Sequence, residues 1–198
     1  MQGGPEVFFL CLMNVVFNSF SAEHVASGGR GLTLWFGMAH SPVGECFVSW
    51  CLRGICSLEF AGDRDACLER LSRQWPAANL AEDGSGASRI VESVFAGSEV
   101  QVCLHATDFR LRVWRALVSV PFGHTASYSQ LAEMAGFPRA VRAAASAVGA
   151  NRVGYIIPCH RIVRSDGSLG GFFWGLPVKR RMLDWERERG AENRECYG

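Results

Sequence analysis

The chain has 198 residues, of which 48% are hydrophobic and 20% charged, and its net charge at pH 7 is +1. This composition excludes an intrinsically disordered chain and provides enough apolar mass for one globular domain or two small ones. The eight cysteines include no CxxC pair, and four of them lie in strand-like apolar runs. We therefore expect reduced thiols and a cytoplasmic location, nucleoid-associated if the source is bacterial.

An apolar stretch at residues 7–17 stands near the start of the chain. It is too short to span a bilayer, and it lacks the basic flank of a secretory signal, because Glu6 precedes it and the first lysine or arginine is Arg30. We therefore expect no membrane partner. The stretch 7–17 is interpreted as a short helix or a poorly ordered extension, and residues 1–30 together as an N-terminal extension of unknown role.

Residues 31–106 read as an α/β N-terminal domain. Between residues 32 and 60, three apolar runs separated by the turn sequences SPVG and RG predict an antiparallel meander. Apolar residues at helical spacing predict two helices further on. The elements expected after the meander are helices at 63–75 and 87–97, a short loop at 82–86 and a strand at 99–106.

Residues 107–190 read as a second, mainly helical domain, and residues 191–198 as a C-terminal tail. The stripe of Phe109, Val113 and Leu117 predicts a helix that begins near residue 107.

Two short helices follow and form a helix-turn-helix candidate. Ser127, with Gln130 three residues later, predicts a capping box, and Gly136 is suited to the end of that helix. The second helix is expected to have Pro138 at its first position and to run to Gly149.

Charge is distributed unevenly along the chain. Residues 1–105 contain 6 basic and 11 acidic residues, whereas residues 106–190 contain 13 basic and 6 acidic ones. The second helix of the pair carries Arg139 and Arg142 but is otherwise nearly all small residues. A small-residue helix beside arginines can approach a nucleic-acid backbone closely, although an ordinary core helix in a solvated basic surface has the same composition.

The sequence IPCHRIV places Cys159 directly beside His160, behind Pro158. Neighbouring side chains on a straight strand point to opposite faces, so the two can share a site only if a strand ends and the chain turns there. Proline makes such a turn reasonable. The local pattern leaves two interpretations open, a buried inert thiol and an activated nucleophile.

The segments PFGHTASYSQLA, PRAVRAAASA, AN and IPCHRIV, in this order from residue 121 onward, resemble the O6-alkylguanine-DNA alkyltransferases, also called methylated-DNA–protein-cysteine methyltransferases. The likeness is greatest to the C-terminal half of the Ada-type proteins, and SPVG, GICSLEF and FRLRVWRAL extend it more weakly upstream. The fold class implied is α+β, with a ribonuclease-H-like antiparallel sheet and helices packed on a helical domain that contains a helix-turn-helix.

The resemblance implies a repair protein that flips an alkylated guanine out of duplex DNA and moves the alkyl group irreversibly onto its own cysteine. Cys159 resembles the alkyl acceptor, His160 the base that removes its proton, in the family through a water, Glu186 the carboxylate that orients the histidine, and Asn151 the residue that organises the active-site turn. The chemistry suits these residue types, because a thiolate is a strong nucleophile for a saturated carbon and a neighbouring histidine can generate it.

The resemblance also assigns binding residues. Those expected at the DNA are Tyr128, Arg142 as the finger that fills the gap in the stack, Arg139, Ser127, Ala143 and Ser146. Those expected around the base are Tyr128, Pro158, Val163, Phe172, Phe173 and Trp174. The partner implied is double-stranded DNA containing O6-alkylguanine, bound by a monomer, with no cofactor and no metal.

Two pocket positions vary within the family. Phe172 stands where most relatives have tyrosine, so a hydroxyl contact is missing. Trp174 matches the Ada type, and we expect it to narrow the pocket and disfavour O6-benzyl adducts. Two rival functions are a non-catalytic DNA-binding or regulatory protein, in which Cys159 would be dispensable, and a cysteine hydrolase with multiple turnovers.

Overall fold

The N-terminal half of the protein is built around a six-stranded sheet. The computed structural model describes residues 14–60 and 62–195. In chain order, this half contains β1 (Val15–Ser19), α1 (Ala22–Ala26), β2 (Thr33–Ser41), β3 (Gly44–Cys51), β4 (Gly54–Glu59), α2 (Arg64–Gln74), β5 (Asn79–Glu82), α3 (Gly84–Phe95) and β6 (Val100–Leu104).

The sheet is mixed, and its strand order is β1-β6-β4-β3-β2-β5. The antiparallel meander predicted for residues 32–60 is present as β2, β3 and β4. The expectation of a wholly antiparallel sheet is wrong, because β5 pairs parallel to β2, and β6 pairs parallel to both β1 and β4. Helix α2 precedes β5 and α3 precedes β6, and such helical crossovers bring the chain back in the parallel direction.

The predicted N-terminal extension also needs correction. Val15–Ser19 is not helical but an edge strand, in register with Val100–Leu104 of β6. Its VVF sequence has the β-branched and aromatic residues that favour strands, and it covers an edge of β6 that would otherwise be open. Residues 1–13, which hold most of the apolar stretch, lie outside the described residues.

Both helices predicted in this half are present. Helix α3 begins at Gly84 rather than at 87, because the side chain of Asp83 accepts a hydrogen bond from the backbone N–H of Gly86 and caps the helix. The segment 82–86 is therefore a strand end, a cap and a first helical turn rather than the short loop expected.

The C-terminal half is mainly helical. None of the helices in the described ranges is long and apolar enough to cross a membrane. This half contains α4 (Asp108–Val118), β7 (Ala126–Ser127), α5 (Tyr128–Met134), α6 (Val141–Gly149), a 3-10 turn (Cys159–Arg161), β8 (Ile162–Val163) and α7 (Leu176–Glu195).

Helix α5 starts as predicted, and α6 does not. The capping box is formed, with Ser127 and Gln130 each accepting a hydrogen bond from the other's backbone N–H. Helix α6 begins at Val141 instead of Pro138, because the backbone first closes a turn in which the N–H of Ala140 donates to the carbonyl of Phe137 at 2.8 Å. The ring of Phe137 packs on Phe109 of α4 and fixes this turn.

One hydrophobic core joins the two halves. It includes Leu58 of the sheet, Val91 of α3, Leu117 of α4 and Ile157 of the segment before the 3-10 turn. A β-bridge between Leu58 and Val153 ties that segment to the end of β4. The sheet thus supports the chain that leads into Cys159.

Candidate active site

The chain before Cys159 turns sharply, as expected, but it is not a strand. Apart from the bridge at Val153, the segment 153–158 consists of turns. Pro158 has φ −81° and ψ 63°, and the N–H of Cys159 donates to the carbonyl of Ile157 at 2.7 Å. This is an inverse γ-turn, and the 3-10 turn that follows contains both Cys159 and His160.

Asn151 holds this turn and contacts the thiol. Its Nδ2 donates to the carbonyl of Ile157 at 2.8 Å and to Sγ of Cys159 at 3.2 Å. Its Oδ1 accepts from the N–H of Val153 at 2.9 Å. Asn151 and Cys159 are only 1% and 4% exposed, so the amide fixes the sulfur in a site shielded from water.

A buried carboxylate orients the histidine. Nε2 of His160 lies 2.8 Å from Oε1 of Glu186, and both residues are fully buried. The guanidinium of Arg161 donates to both oxygens of Glu186, through Nε at 3.1 and 3.0 Å and Nη2 at 2.8 Å. The N–H of Gly123 donates to Oε2 at 3.0 Å, so the carboxylate ties α7 to two separate segments, the 3-10 turn and the loop that contains Gly123.

These contacts set the protonation states. Burial alone would raise the pKa of Glu186, but the hydrogen bonds and charges of His160 and Arg161 hold it at about 2. Burial lowers the pKa of His160, and Glu186 only partly offsets this. Burial raises the pKa of Cys159 to about 11, although the Asn151 amide and the positive charge of Lys179 oppose the rise. At neutral pH the site therefore holds a thiol, a neutral imidazole and a carboxylate.

Sequence reasoning missed Arg161 and Lys179. Lys179, on α7, is buried, and its Nζ donates to the carbonyls of Ile162 and Leu169 and lies 5.9 Å from the ring centre of Phe172. Burial lowers its pKa to about 8. The adjacency of Arg161 to His160 is the one signal for Arg161 in the sequence, and Lys179 stands out only as the chain's single lysine.

Two of the predicted pocket residues, Tyr128 and Pro158, have a direct relation to Cys159 in the structure. Tyr128 opens α5, and the pairing of Ser127 with Val163 places β7 beside β8. Burial raises the pKa of the Tyr128 phenol, and the charge of Cys159 contributes to the rise. Pro158 is buried immediately before the nucleophile.

Trp174 is the largest of the residues predicted around the base. Its indole meets Phe60 and Phe172 edge-on, at centroid distances of 5.8 and 5.3 Å. A Cβ on Gly154 would lie 2.6 Å from the indole, so the ring lies directly against the backbone there. Phe173 differs from the other predicted pocket residues, because it is 47% exposed.

Phe173 belongs to a charged cluster that reaches back to the sheet. The guanidinium of Arg152 lies 3.6 Å from the centre of the Phe173 ring, and that of Arg70 lies 5.9 Å away. Arg70 also forms an ion pair with Glu59 at 2.9 Å. Glu59, at the end of β4, is 4% exposed, and its burial raises its pKa against the opposing effect of the two arginines.

Four of the predicted DNA-contact residues are exposed in or just before α6. Arg139 is exposed before α6, and Arg142, Ala143 and Ser146 form an exposed stripe along α6. The opposite side of α6 packs in the core, and Nε1 of Trp114 donates to the carbonyl of Ala147 at 2.9 Å. Helix α6 is thus both a core helix and a helix with a small-residue exposed face.

Comparisons with known proteins identify relatives along most of the chain. Residues 108–188 match the family model described as 6-O-methylguanine DNA methyltransferase, DNA binding domain. The chain is 37% identical to the bifunctional transcriptional activator/DNA repair enzyme Ada of Escherichia coli over 182 residues, which are 88% of this chain and 50% of Ada. The chain therefore spans about half the length of that relative.

A second relative is matched over nearly its whole length. The inducible methylated-DNA–protein-cysteine methyltransferase of Bacillus subtilis is 32% identical over 171 residues, which cover 81% of this chain and 94% of that protein. Among solved structures, Mycobacterium tuberculosis OGT in complex with DNA is similar with a TM-score of 0.63 and 30% identity, over 78% of this chain and 94% of that one.

Proposed function

This chain belongs to the family of methylated-DNA–protein-cysteine methyltransferases, and from that premise we propose that it repairs O6-alkylguanine in duplex DNA by irreversible transfer of the alkyl group to Cys159. The observation that carries the proposal is the buried arrangement in which Asn151 contacts the thiol while Glu186 holds the neighbouring His160. An inert buried cysteine needs neither partner.

The transfer requires a thiolate formed only when substrate is present. Nε2 of His160 faces Glu186, so Nδ1 is the ring nitrogen that receives the Cys159 proton. The sulfur then forms a bond to the alkyl carbon as the bond from that carbon to O6 breaks. The guanine regains its carbonyl at O6 and takes up a proton at N1, which balances the proton that Cys159 gave to His160. Each protein molecule is used once, because nothing in this sequence of steps removes the thioether.

Charge in the site favours this step. The Asn151 amide and the positive charges of Lys179 and Arg152 each lower the pKa of Cys159 and so favour its thiolate. The carboxylate of Glu186 favours the imidazolium that forms at His160. The alkylated guanine itself carries the group that is transferred, so the reaction needs no methyl-donating cofactor.

DNA binding is proposed for the surface formed by α5 and α6. We infer that these helices act as a helix-turn-helix whose exposed small residues allow close approach to the backbone, with Arg139 and Ser127 at phosphates. Arg142 fills the space left when the guanine is flipped into the pocket, which offsets part of the unstacking cost. The proposal includes a ribonuclease-H-like N-terminal domain at 31–106, a DNA-binding domain at 107–190 and a monomeric protein.

Single-turnover stoichiometry tests this function. Duplex DNA with one O6-methylguanine is mixed in excess with the protein, and the repaired guanine is counted by nucleoside analysis. The proposal predicts a limit of one repaired guanine per protein molecule. Repeated turnover would contradict it in favour of a hydrolytic enzyme. Tight lesion binding with no repaired guanine would instead establish the non-catalytic lesion-binding function.

A further inference from the structure

Tyr155 has an unusual backbone conformation close to the nucleophile. Its φ is 65°, and among the described residues it is the only one other than glycine with a positive φ. The N–H of Ile156 donates to the carbonyl of Gly154 at 2.8 Å, which closes a γ-turn centred on Tyr155. This form of γ-turn is rare and strained for a residue with a Cβ, and such strain persists only where the surroundings enforce it.

The surroundings of Tyr155 are aromatic. Its ring lies nearly parallel to the imidazole of His160, with an interplanar angle of 3° and a centroid distance of 6.0 Å. The ring of Phe95, at the end of α3, stacks on Tyr155 with an angle of 16° at 4.1 Å. Trp185 of α7 meets Tyr155 edge-on at 5.6 Å. Tyr155 is 3% exposed and His160 is fully buried, so the rings form a dry stack.

The histidine needs a second restraint besides its carboxylate. The contact of Nε2 with Glu186 fixes one end of the imidazole, but a single contact leaves the ring able to rotate about that line. Nδ1 of His160 has no hydrogen-bond partner within the described part of the chain. A parallel ring beside the imidazole supplies the missing restraint, because rotation would drive it out of the stacked plane.

We propose that Tyr155 is a positioning residue for alkyl transfer: its ring, supported by Phe95, holds the imidazole of His160 in the plane in which Nδ1 receives the Cys159 proton. This inference rests on the proposed function and adds a residue to its machinery. It gives the strained turn a role, since the positive φ directs a large side chain toward the histidine. It also links α3 of the sheet domain to the reacting group through Phe95.

The stack also affects the charge on the histidine. The face of a phenol ring is electron-rich and attracts a cation within about 6 Å. The charged groups that act on His160 are Glu186, Arg161 and Lys179, and only the carboxylate favours the imidazolium. Tyr155 therefore adds a second favourable contribution when His160 takes up the proton.

The test compares Tyr155→Phe, Tyr155→Leu and Phe95→Leu with wild type. The rate of Cys159 methylation by an O6-methylguanine duplex is measured from pH 5 to 9 (roughly the range around the ordinary imidazole pKa), and unfolding in urea is followed for each protein. Leucine bears the same backbone strain as tyrosine at this φ, so the comparison isolates the ring.

Tyr155→Phe is expected to keep the wild-type rate. Tyr155→Leu is expected to slow transfer by about tenfold to a hundredfold, the range that follows from slight misplacement of a reacting group. The fall of its transfer rate at acid pH is expected to occur at lower pH than in wild type. The reason is that the imidazolium of His160 is no longer stabilised by the face of the Tyr155 ring, so the pKa of His160 decreases. A purely structural role would lower the unfolding midpoint and leave the pH profile of the folded protein unchanged.

Phe95→Leu keeps Tyr155 and removes only its support, so it decides the question even if Tyr155→Leu does not fold. A folded Phe95→Leu protein with reduced rate and a shifted acid limb would support the proposal. Wild-type rate and profile in either leucine variant would overturn it. Failure of wild type itself to become methylated would overturn the proposed function instead, so the two failures are distinguishable.

Discussion

At the level of single residues, the site of the free protein holds an uncharged thiol beside an uncharged histidine. Burial raises the pKa of Cys159 to about 11 and lowers that of His160, so neither group is charged at neutral pH. We expect the Cys159 proton to pass to His160, because solvent hydroxide is scarce at neutral pH. Glu186, with a pKa of about 2, remains a carboxylate throughout this range.

The pH dependence of transfer follows from these states. His160 acts as a base only when neutral, and its lowered pKa means that the rate should stay level through neutral pH and fall only below the ordinary imidazole range. Glu186→Gln should reduce the plateau rate and move the fall to still lower pH, because the carboxylate raises the pKa of His160. Single-turnover rates across pH measure both effects. A rate that climbs steadily from neutral pH toward 11 would show that solvent, and not His160, deprotonates Cys159.

Trp174 is expected to control the size of the accepted alkyl group. Trp174→Gly should raise the rate with O6-benzylguanine by about tenfold, since removing the indole opens space for a second ring. The rate with O6-methylguanine should change less, because a methyl group already fits. The ratio of the two rates is the measurement, and Trp174→Leu, which keeps part of the volume, serves as the matched control. An unchanged ratio in Trp174→Gly would show that the indole does not limit the pocket.

Residues recognised from sequence were those that lie in continuous motifs. Cys159 and His160 are adjacent, and the resemblance supplied Asn151 and Glu186. Arg161 was missed because arginines are mostly exposed, and nothing local shows that this one is buried against a carboxylate. Lys179 was missed for the same reason, since the neighbouring arginines of α7 read as a solvated face.

At the level of elements, the active-site segment depends on the sheet. The bridge between Leu58 and Val153 and the cluster of Glu59, Arg70 and Arg152 connect β4 to the pocket wall. The buried carboxylate of Glu59 balances two arginines, one of which stacks on Phe173. Removing the charge of Glu59 should weaken both the contact between the two halves of the protein and the packing of Arg152 on Phe173.

Glu59→Gln should destabilise the protein by about 2 kcal/mol, less than for a fully buried pair because Arg70 is 34% exposed. Glu82→Gln breaks the exposed pair with Arg64 and is the matched control, with an expected cost of about 0–1 kcal/mol. Urea unfolding of both variants gives the comparison. Equal stability of the two would mean that Glu59 does not join the sheet to the pocket wall.

Elements with strong local signals were predicted, and those set by tertiary contacts were not. The capping box fixed the start of α5, and the meander followed from its turn sequences. Strand β5 has four residues without clear alternation and forms because β2 offers an edge. Helix α6 begins at Val141 and not at the predicted Pro138, because Phe137 packs on Phe109, a contact that no local pattern encodes.

At the level of the whole molecule, we expect the basic residues of the C-terminal half to provide the charge for DNA binding. We expect affinity for duplex DNA to fall by about tenfold or more between low and physiological salt, because each neutralised phosphate releases counterions. Arg139→Ala should reduce the slope of the logarithm of the DNA-binding constant against the logarithm of the salt concentration by about one. Arg89→Ala, which removes an exposed arginine of α3, should leave this slope unchanged. Binding titrations across salt concentrations measure the slopes. Equal slopes for the two variants would place the DNA on another surface.

Arg142 should matter only when a base must leave the duplex. Arg142→Ala should slow repair of O6-methylguanine in duplex DNA by about tenfold, since no side chain then occupies the gap that the flipped guanine leaves in the base stack. Reaction with free O6-methylguanine base should be unaffected, because that substrate is not stacked. Equal loss on both substrates would contradict the finger assignment.

The central claim is that Cys159 itself receives the alkyl group, and the most direct measurement is intact-protein mass after incubation with a duplex that contains one O6-methylguanine. Wild type should gain one methyl group in place of the thiol hydrogen, and peptide mapping should locate it at Cys159. Cys56→Ser, which removes a more exposed cysteine, should gain the same group, and Cys159→Ser should gain none. A methyl group on Cys159→Ser, or an unmodified wild type after complete lesion binding, would contradict the account.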